Sequence, residues 1–124
     1  MDIKKKILIV EDTKELAEIY QQRLDLEGFN TQLANDGEKA LVLATEFKPD
    51  LILLDIMMPQ ISGYDVLDIL RNTPETKNIK IILLTALSQL RDKAHAAELG
   101  ADDYLVKTET DFDKVIATIR SYTD

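Results

Sequence analysis

Short, unbroken apolar runs alternate with helical patterns along the whole chain, and this alternation constrains the fold more than any other feature. Three runs are continuous and bounded by polar residues, namely Ile7–Val10, Leu51–Leu54 and Ile81–Leu84. Such runs are typical of strands that are buried on both faces of a parallel sheet. Two weaker candidates, Phe29–Ala34 and Tyr104–Val106, are partly polar or short, which is typical of strands at sheet edges.

An amphipathic helix is predicted after each strand, because apolar side chains recur there at intervals of three and four residues. The predicted buried stripes are Leu16, Ile19, Tyr20 and Leu24; Ala40, Leu43, Ala44 and Phe47; Val66, Leu67 and Leu70; Leu87, Leu90, Ala94 and Ala97; and Phe112, Val115, Ile116 and Ile119. Gly28 and Gly100 follow the first and fourth stripes, where a helix end favours glycine. Thr85 and Asp111 are candidate N-caps of the fourth and fifth helices.

Five βα units in 124 residues predict a single α/β domain over residues 1–124. The three apolar strands belong in the centre of the sheet and the two weaker strands at its edges. This arrangement matches the three-layer, doubly wound (βα)5 fold of flavodoxin-like type, with a parallel sheet of order 2-1-3-4-5. In such sheets ligands bind at the carboxyl ends of the strands, where the strand order reverses, so we expect the site beside strands 1 and 3.

Composition narrows the classes of function. The chain has no cysteine, which excludes disulfides, thiolate metal sites and cysteine nucleophiles. Its formal net charge of −8 argues against a nucleic-acid partner, because phosphates would be repelled over most of the surface. Its longest apolar runs are far shorter than the roughly 20 residues that a membrane-spanning helix needs. We therefore expect a cytoplasmic protein with neither a membrane nor a nucleic-acid partner.

Polar side chains follow four of the five predicted strands: Glu11 and Asp12, Asp55, Thr85, and Lys107. Alone, each of them also fits a helix cap or a solvated surface position, and the prediction depends on their combination. Three carboxylates at close range repel one another, and a hard cation such as Mg²⁺, Mn²⁺ or Ca²⁺ relieves that repulsion with oxygen ligands. A lysine and a threonine hydroxyl at the same edge suit a dianionic phosphoryl group.

Four segments, in this order and at these separations, resemble the receiver domain of bacterial two-component response regulators. They are Ile7–Asp12, Leu51–Pro59 with Gly63, Ile82–Ala86 and Gly100–Lys107. Any one of these motifs is a weak signal, whereas the four together are specific. The resemblance extends over essentially the whole chain, from Lys4 to Tyr122.

The resemblance implies that Asp55 is the phosphoacceptor, a carboxylate nucleophile that forms an acyl phosphate. It implies Mg²⁺ as the cofactor, with Mn²⁺ as the alternative. The ligands would be Glu11 through water, Asp12 and Asp55 directly, and the backbone carbonyl of Met57. The phosphoryl donor would be a sensor histidine kinase or a histidine phosphotransfer domain. The protein would be a signalling domain rather than an enzyme, although it would assist its own phosphorylation and dephosphorylation.

The resemblance also implies a phosphoryl-binding group and a switch. Thr85 would donate a hydrogen bond to the phosphoryl group, Lys107 would pair with it, and the small Ala86 would leave room for it. Thr85 and Tyr104 would form the switch, in which Tyr104 turns inward when Thr85 moves. Phosphorylation would then favour one arrangement of helix 4, strand 5 and helix 5, the surface that meets a downstream protein target.

One position departs from the usual pattern of the family. Lys107 is followed by Thr108, where the family usually has proline, often after a cis peptide bond. Since a cis bond before a residue other than proline costs about 2.5–4 kcal/mol, we expect a trans bond here.

The chain ends shortly after the fifth helix, at Tyr122–Asp124, so we expect a stand-alone receiver whose output is a contact with another protein.

Three alternatives share parts of this pattern. A receiver-like module that binds partners without phosphorylation is disfavoured, because every expected site residue is present. A phosphatase of the haloacid-dehalogenase type needs a second aspartate two residues after the nucleophile, where this chain has Met57. A flavodoxin-like electron carrier needs a loop rich in hydroxyl groups and glycine after strand 1, and Asp12–Glu15 is acidic instead.

Overall fold

Strands and helices alternate along the chain as predicted, in a computed structural model that describes residues 4–86 and 90–124. The strands are β1 (Lys6–Val10), β2 (Asn30–Ala34), β3 (Leu51–Leu54), β4 (Lys80–Thr85) and β5 (Asp103–Val106). The helices are α1 (Lys14–Leu26), α2 (Gly37–Glu46), α3 (Gly63–Arg71), α4 (Leu90–Leu99) and α5 (Phe112–Thr123). A 3₁₀ turn at Lys107–Glu109 follows β5.

The five strands form one parallel sheet of order β2-β1-β3-β4-β5, which confirms the predicted topology. Their carboxyl ends are in register: Val10 pairs with Ala34, Val10 with Leu54, Leu54 with Leu83, and Thr85 with Val106. The residues that follow these ends therefore emerge side by side at one edge, which we call the carboxyl edge.

Apolar side chains of the central strands alternate between the two faces of the sheet, and each face carries its own buried cluster. On the face covered by α2, α3 and α4, the strands contribute Leu8, Val10, Ile52, Leu54, Ile81 and Leu83. On the face covered by α1 and α5, they contribute Ile7, Ile9, Leu51, Leu53, Ile82 and Leu84. Burial on both faces explains why these strands have no polar residue between their ends.

The predicted buried face of α4 was wrong. Ala96 is fully buried, whereas Ala94 and Ala97 are exposed. Leu87 and the side chain of Leu90 lie outside the described residues. The physical reason is that α4 carries small alanines on more than one face, so the sequence offers little contrast between a buried and an exposed stripe.

One detail of α1 also differs from the prediction, and one of the two predicted N-caps is confirmed. In α1, the Ile19 side chain is 44% exposed and Ala17 is buried instead, because α1 packs against β1, β2 and α5 through a face that includes Ala17, Tyr20 and Leu24. Thr85 is the buried last residue of β4, and the predicted N-cap of α4 cannot be compared because residues 87–89 lie outside the described residues. Asp111 does cap α5, since its carboxylate accepts a hydrogen bond of 2.8 Å from the Lys114 amide.

Arg71, the last residue of α3, joins several segments of the chain at the edge of the sheet opposite the carboxyl edge. Its guanidinium donates to the carbonyls of Gly100, Lys77 and Ile79 at 2.8, 3.1 and 2.6 Å. It also forms an ion pair of 2.8 Å with Asp102, and both side chains are largely buried. One planar side chain therefore joins the end of α3, the loop before β4, the end of α4 and the start of β5.

Replacing Arg71 tests the importance of this junction. We expect Arg71→Ala to lower the free energy of unfolding by about 2–3 kcal/mol, because several acceptors lose their donor at once. Arg71→Lys should recover little of that free energy of unfolding, since a lysine ammonium group cannot form the same set of hydrogen bonds as the planar guanidinium group. Arg120→Ala is the control: Arg120 pairs with Glu27 at 3.2 Å on the surface and should cost less than about 1 kcal/mol. Urea unfolding measures all three, and equal losses for Arg71→Ala and Arg120→Ala would contradict this account.

Candidate functional site

Three carboxylates meet at the carboxyl edge, as the sequence predicts. Backbone hydrogen bonds extend the sheet by one residue beyond β1 and β3, from the Glu11 amide to the Ala34 carbonyl (3.1 Å) and from the Asp55 amide to the Val10 carbonyl (3.0 Å). The side chains of Glu11 and Asp55 are buried, and Asp12 is exposed beside them. One carboxylate oxygen of each residue lies within 4.8 Å of the other two.

Lys107 lies between two of these carboxylates. Its ammonium nitrogen is 2.6 Å from Oε1 of Glu11 and 3.2 Å from Oδ2 of Asp55. Lys107 directly follows β5, so the sheet register brings it to the edge next to residues far away in sequence. Three carboxylates and one ammonium leave a formal charge of −2, the charge that one divalent cation would neutralise.

The charges of the site shift the pKa values of its members. Burial alone would lower the pKa of Lys107, but its hydrogen bond to Glu11 and the charges of Asp55 and Glu11 outweigh burial and raise that pKa. Lys107 is therefore firmly cationic. Although Asp12 is exposed, the loss of part of its hydration is the main cause that raises its pKa, and the neighbouring Glu11 carboxylate raises it further. The cluster thus resists further negative charge.

The loop after β3 folds tightly around Asp55. The Met57 amide donates to Oδ1 of Asp55 at 3.1 Å, and the Gly63 amide donates to the Ile56 carbonyl at 2.9 Å. Gln60 follows Pro59 with φ of 68°, a left-handed conformation that reverses the chain. Because of this turn, α3 begins directly beside the phosphoacceptor candidate. The Met57 side chain, 56% exposed, lies on the surface next to it.

The remaining predicted residues lie on the same side of the sheet. Thr85 is fully buried at the end of β4, and the exposed Ala86 follows it. Thr85 is in register with Val106, the neighbour of Lys107, so the two polar groups end adjacent strands. Tyr104 is buried in the cluster beneath α3 and α4. Lys107 and Thr108 are joined by a trans peptide bond, as expected, since the described residues contain no cis bond.

Two tyrosines lie near the predicted site residues. Tyr20 is buried, and with Glu11 and Asp55 it lines a small cavity under the edge. Burial is the main cause that raises the pKa of Tyr20, and the charges of Lys107, Glu11 and Asp55 reach it as well. Tyr64, in the first turn of α3, donates a hydrogen bond of 3.3 Å to the Asp92 carbonyl. Helical spacing marks Tyr20 as buried, but no local signal marks Tyr64.

Two open clefts flank the site. A cleft of about 280 Å³ lies beside Asp12 and is lined by Lys14 and Lys39 among others. A second cleft, of about 270 Å³, lies between α1 and α5 and is lined by Lys107 and Phe112 among others.

Among the described residues, no helix combines the length and the apolar character needed to cross a membrane.

The fold and the carboxyl-edge cluster define a class of protein that the comparisons identify. The sequence model of the response regulator receiver domain matches residues 7–120. The chain therefore belongs to the response regulator receiver domain family. It is a signalling domain of two-component systems, and nothing in the comparisons supports the phosphatase or the electron-carrier alternative.

Curated relatives agree with this assignment. The chain is 46% identical over 116 residues to the transcriptional regulatory protein CpxR of Klebsiella pneumoniae. The matched segment covers 94% of this chain and 48% of that protein. It is 38% identical over 116 residues to the DNA-binding dual master transcriptional regulator RpaA of a Synechocystis strain, again over 94% and 48%. The chain thus spans about half the length of the curated relatives it matches.

Solved structures show the same fold. The receiver domain of the Francisella response regulator 1452 has a TM-score of 0.88 and 32% identity, with 95% of each chain covered. The chemotaxis protein CheY4 of Vibrio cholerae has a TM-score of 0.90 and 25% identity, with 97% of this chain and 99% of that chain covered. These neighbours confirm the fold class predicted from sequence.

The expectation that no nucleic acid is a partner is not supported for the longer relatives. They are transcriptional regulators, and one is described as DNA-binding. The charge of −8 belongs to these 124 residues and carries no information about the other half of those proteins. The expectation of a stand-alone receiver likewise stays a prediction.

Gly63 allows the tight loop around Asp55, and its replacement tests that loop. A Cβ atom at residue 63 would clash with the Asp55 carbonyl oxygen and would lie 2.6 Å from Cα of Ile56. We expect Gly63→Ala to cost about 1–3 kcal/mol of unfolding free energy and to move the Met57 amide, which NMR chemical shifts would show.

Gly28→Ala serves as the control for this substitution. Its new Cβ meets nothing within 4 Å, and its cost of about 1–2 kcal/mol comes from a φ of +93°. The Met57 amide should stay where it is in this variant. An unchanged Met57 resonance in Gly63→Ala would refute the proposed steric constraint.

Proposed function

We propose that the domain accepts one phosphoryl group on Asp55 from the phosphohistidine of a sensor histidine kinase or a histidine phosphotransfer domain. The observation that carries the proposal is the position of Lys107, whose ammonium bridges Glu11 and Asp55 at the carboxyl edge. An ammonium group held there neutralises both the attacking carboxylate and the incoming phosphoryl oxygens. The family assignment and the intact set of site residues support the same function.

In the proposed reaction an oxygen of Asp55 attacks phosphorus, and a P–O bond forms as the P–N bond of the donor histidine breaks. The histidine nitrogen keeps the electron pair and takes up a proton. The Met57 amide already holds Oδ1 of Asp55, which orients the carboxylate for attack through its other oxygen. Thr85 and Lys107, at the ends of adjacent strands, bind the transferred oxygens, and Ala86 keeps the space open.

The donor set fits a hard divalent cation. Glu11, Asp12 and Asp55 offer only oxygen ligands within 4.8 Å of one another, and their charge exceeds that of Lys107 by two. We propose that these residues and the Met57 carbonyl hold Mg²⁺, with Mn²⁺ as the alternative. When bound, the cation offsets negative charge on the carboxylate and on the phosphoryl oxygens.

Phosphorylation would act through a population shift. Thr85 moves toward the phosphoryl oxygens, Tyr104 occupies the inward position, and the surface of α4, β5 and α5 adopts the arrangement that a downstream protein binds. We propose this output for a single domain over residues 1–124. The expectation of a cytoplasmic location stays a prediction.

Intact-mass measurement tests the phosphoacceptor. Incubation with Mg²⁺ and a small acyl phosphate should add the mass of one phosphoryl group. Asp55→Asn should add none, because an amide oxygen is a poor nucleophile. Asp113→Asn is the matched control, since that carboxylate is almost fully exposed on α5 and should leave the mass shift unchanged. Equal phosphorylation of the Asp55→Asn variant would refute the site assignment.

The exposed Met57 side chain should slow the loss of the phosphoryl group, because an apolar group beside an acyl phosphate hinders the attack of water. We expect Met57→Asn or Met57→Glu to change the dephosphorylation rate, on the order of tenfold for about 1.4 kcal/mol of barrier. Met58→Leu is the control, since Met58 is buried next to it and faces the core. Loss of phosphate followed over time by mass gives the rates. Identical rates in all variants would remove this role of Met57.

A further inference from the structure

The 3₁₀ turn that carries Lys107 has few contacts of its own. It covers Lys107–Glu109 and lies between β5 and α5. Thr108 and Glu109 are exposed, and within the described residues neither side chain forms a hydrogen bond or an ion pair. The position of this turn is therefore set by the segments before and after it.

The strand order places a demand on this turn. β5 is an edge strand, and β1 lies three strands away from it, which is about 14 Å at the usual spacing of neighbouring strands. A lysine side chain extends about 6 Å from its Cα atom, and a glutamate side chain adds only about 4 Å. The Lys107 ammonium nonetheless lies 2.6 Å from Glu11, which follows β1. The chain must therefore bend after β5 toward the middle of the sheet.

The segment after the turn, rather than the segment before it, is placed to hold this bend. Val106 pairs with Thr85, which keeps it on the line of β5. Asp111 belongs to α5, because its carboxylate accepts from the Lys114 amide at 2.8 Å and its carbonyl accepts from the Val115 amide at 3.1 Å. The end of the turn therefore moves with the first turn of α5.

Phe112, the first residue of α5, contacts two side chains of α1. Its ring packs edge-on against Tyr20, with ring centroids 5.1 Å apart, and the Arg23 guanidinium lies 5.0 Å from its ring centroid. Arg23 also pairs with Asp113 at 3.5 Å. Aromatic pairs and cation–π contacts are both favourable, so these contacts hold the first turn of α5 against α1.

Tyr20 connects this contact to the site. It is buried, and with Glu11 and Asp55 it lines the small cavity under the carboxyl edge. It also lines the open cleft of about 270 Å³ together with Lys107 and Phe112. One ring therefore borders both the carboxylates that Lys107 binds and the residue that follows the Lys107 turn.

We propose that Phe112 is a positioning residue for Lys107. By packing against α1 it keeps the 3₁₀ turn bent toward the middle of the sheet, which leaves the Lys107 ammonium between Glu11 and Asp55. Phe112 acts through Lys107 and is not itself a catalytic residue.

The proposal has a consequence for phosphorylation, and this step rests on the proposed function. A bound Mg²⁺ takes up the charge of the carboxylates and repels the ammonium, so the electrostatic attraction that holds Lys107 becomes weaker. The position of the turn then decides how often the ammonium is available to the phosphoryl oxygens. Because apparent affinity falls with the population of the competent arrangement, Phe112 should tighten the binding of a phosphoryl mimic.

The first experiment follows the Lys107 ammonium hydrogens by NMR and needs no phosphorylation. Phe112→Leu keeps an apolar side chain but loses the ring contacts, so we expect these hydrogens to exchange with water about three to ten times faster. Phe112→Tyr keeps the ring and should retain the exchange rate of the parent protein. An unchanged rate in Phe112→Leu, or an equal acceleration in Phe112→Tyr, would overturn the proposal.

Ile119→Val is the matched control. Ile119 is fully buried further along the same helix. Its truncation should lower the free energy of unfolding without moving the turn, so the Lys107 ammonium should exchange as in the parent protein. An equal acceleration in Ile119→Val would indicate a general loss of stability and would overturn the positioning role of Phe112.

The second experiment titrates Mg²⁺ and beryllofluoride, which forms a tetrahedral adduct with a carboxylate oxygen. We expect about threefold weaker adduct formation in Phe112→Leu and no change in Ile119→Val. Equal affinity in Phe112→Leu and the parent protein would overturn the consequence for phosphorylation. Absence of an adduct in the parent protein would instead refute the proposed function, and the first experiment would still decide whether Phe112 positions Lys107.

Discussion

The Lys107 ammonium binds two buried carboxylates that would otherwise repel each other, and this contact depends on the arrangement of the strands. Burying Glu11 and Asp55 without a cation would cost several kcal/mol for each charge. The ammonium reaches them only because β5 is in register with β4, and because β1 and β3 lie side by side. The strand order is therefore a requirement of the site as much as a property of the core.

The fold could be predicted from sequence because strands buried on both faces leave a continuous apolar signal. The runs at Ile7–Val10 and Leu51–Leu54 match β1 and β3 within one residue. The buried face of a helix was predicted well where large apolar side chains lie on one face, as Val66 and Leu70 do in α3. The prediction failed in α4, where alanines occupy both faces and only Ala96 of the three near the middle is buried.

The candidate site could be predicted because its residues directly follow strands, a position that is visible in the sequence. Arg71 and Tyr64 could not be found in that way, since their roles come from contacts across long stretches of chain. Arg71 pairs with Asp102, 31 residues away, and Tyr64 bonds to Asp92, 28 residues away. Nothing local distinguishes either residue from a solvated arginine or a half-buried tyrosine on a helix.

These two long-range contacts reach opposite ends of α4. Immediately after its last turn, the Gly100 carbonyl accepts from Arg71, which also binds Asp102 and two further carbonyls. In its first turn, the Asp92 carbonyl accepts a hydrogen bond of 3.3 Å from the Tyr64 hydroxyl. Both contacts come from α3, so α3 places the two ends of α4 as well as the loop that surrounds Asp55. The Arg71 junction binds through a charged, planar group with several acceptors, and a displacement of the end of α4 would have to break those bonds together.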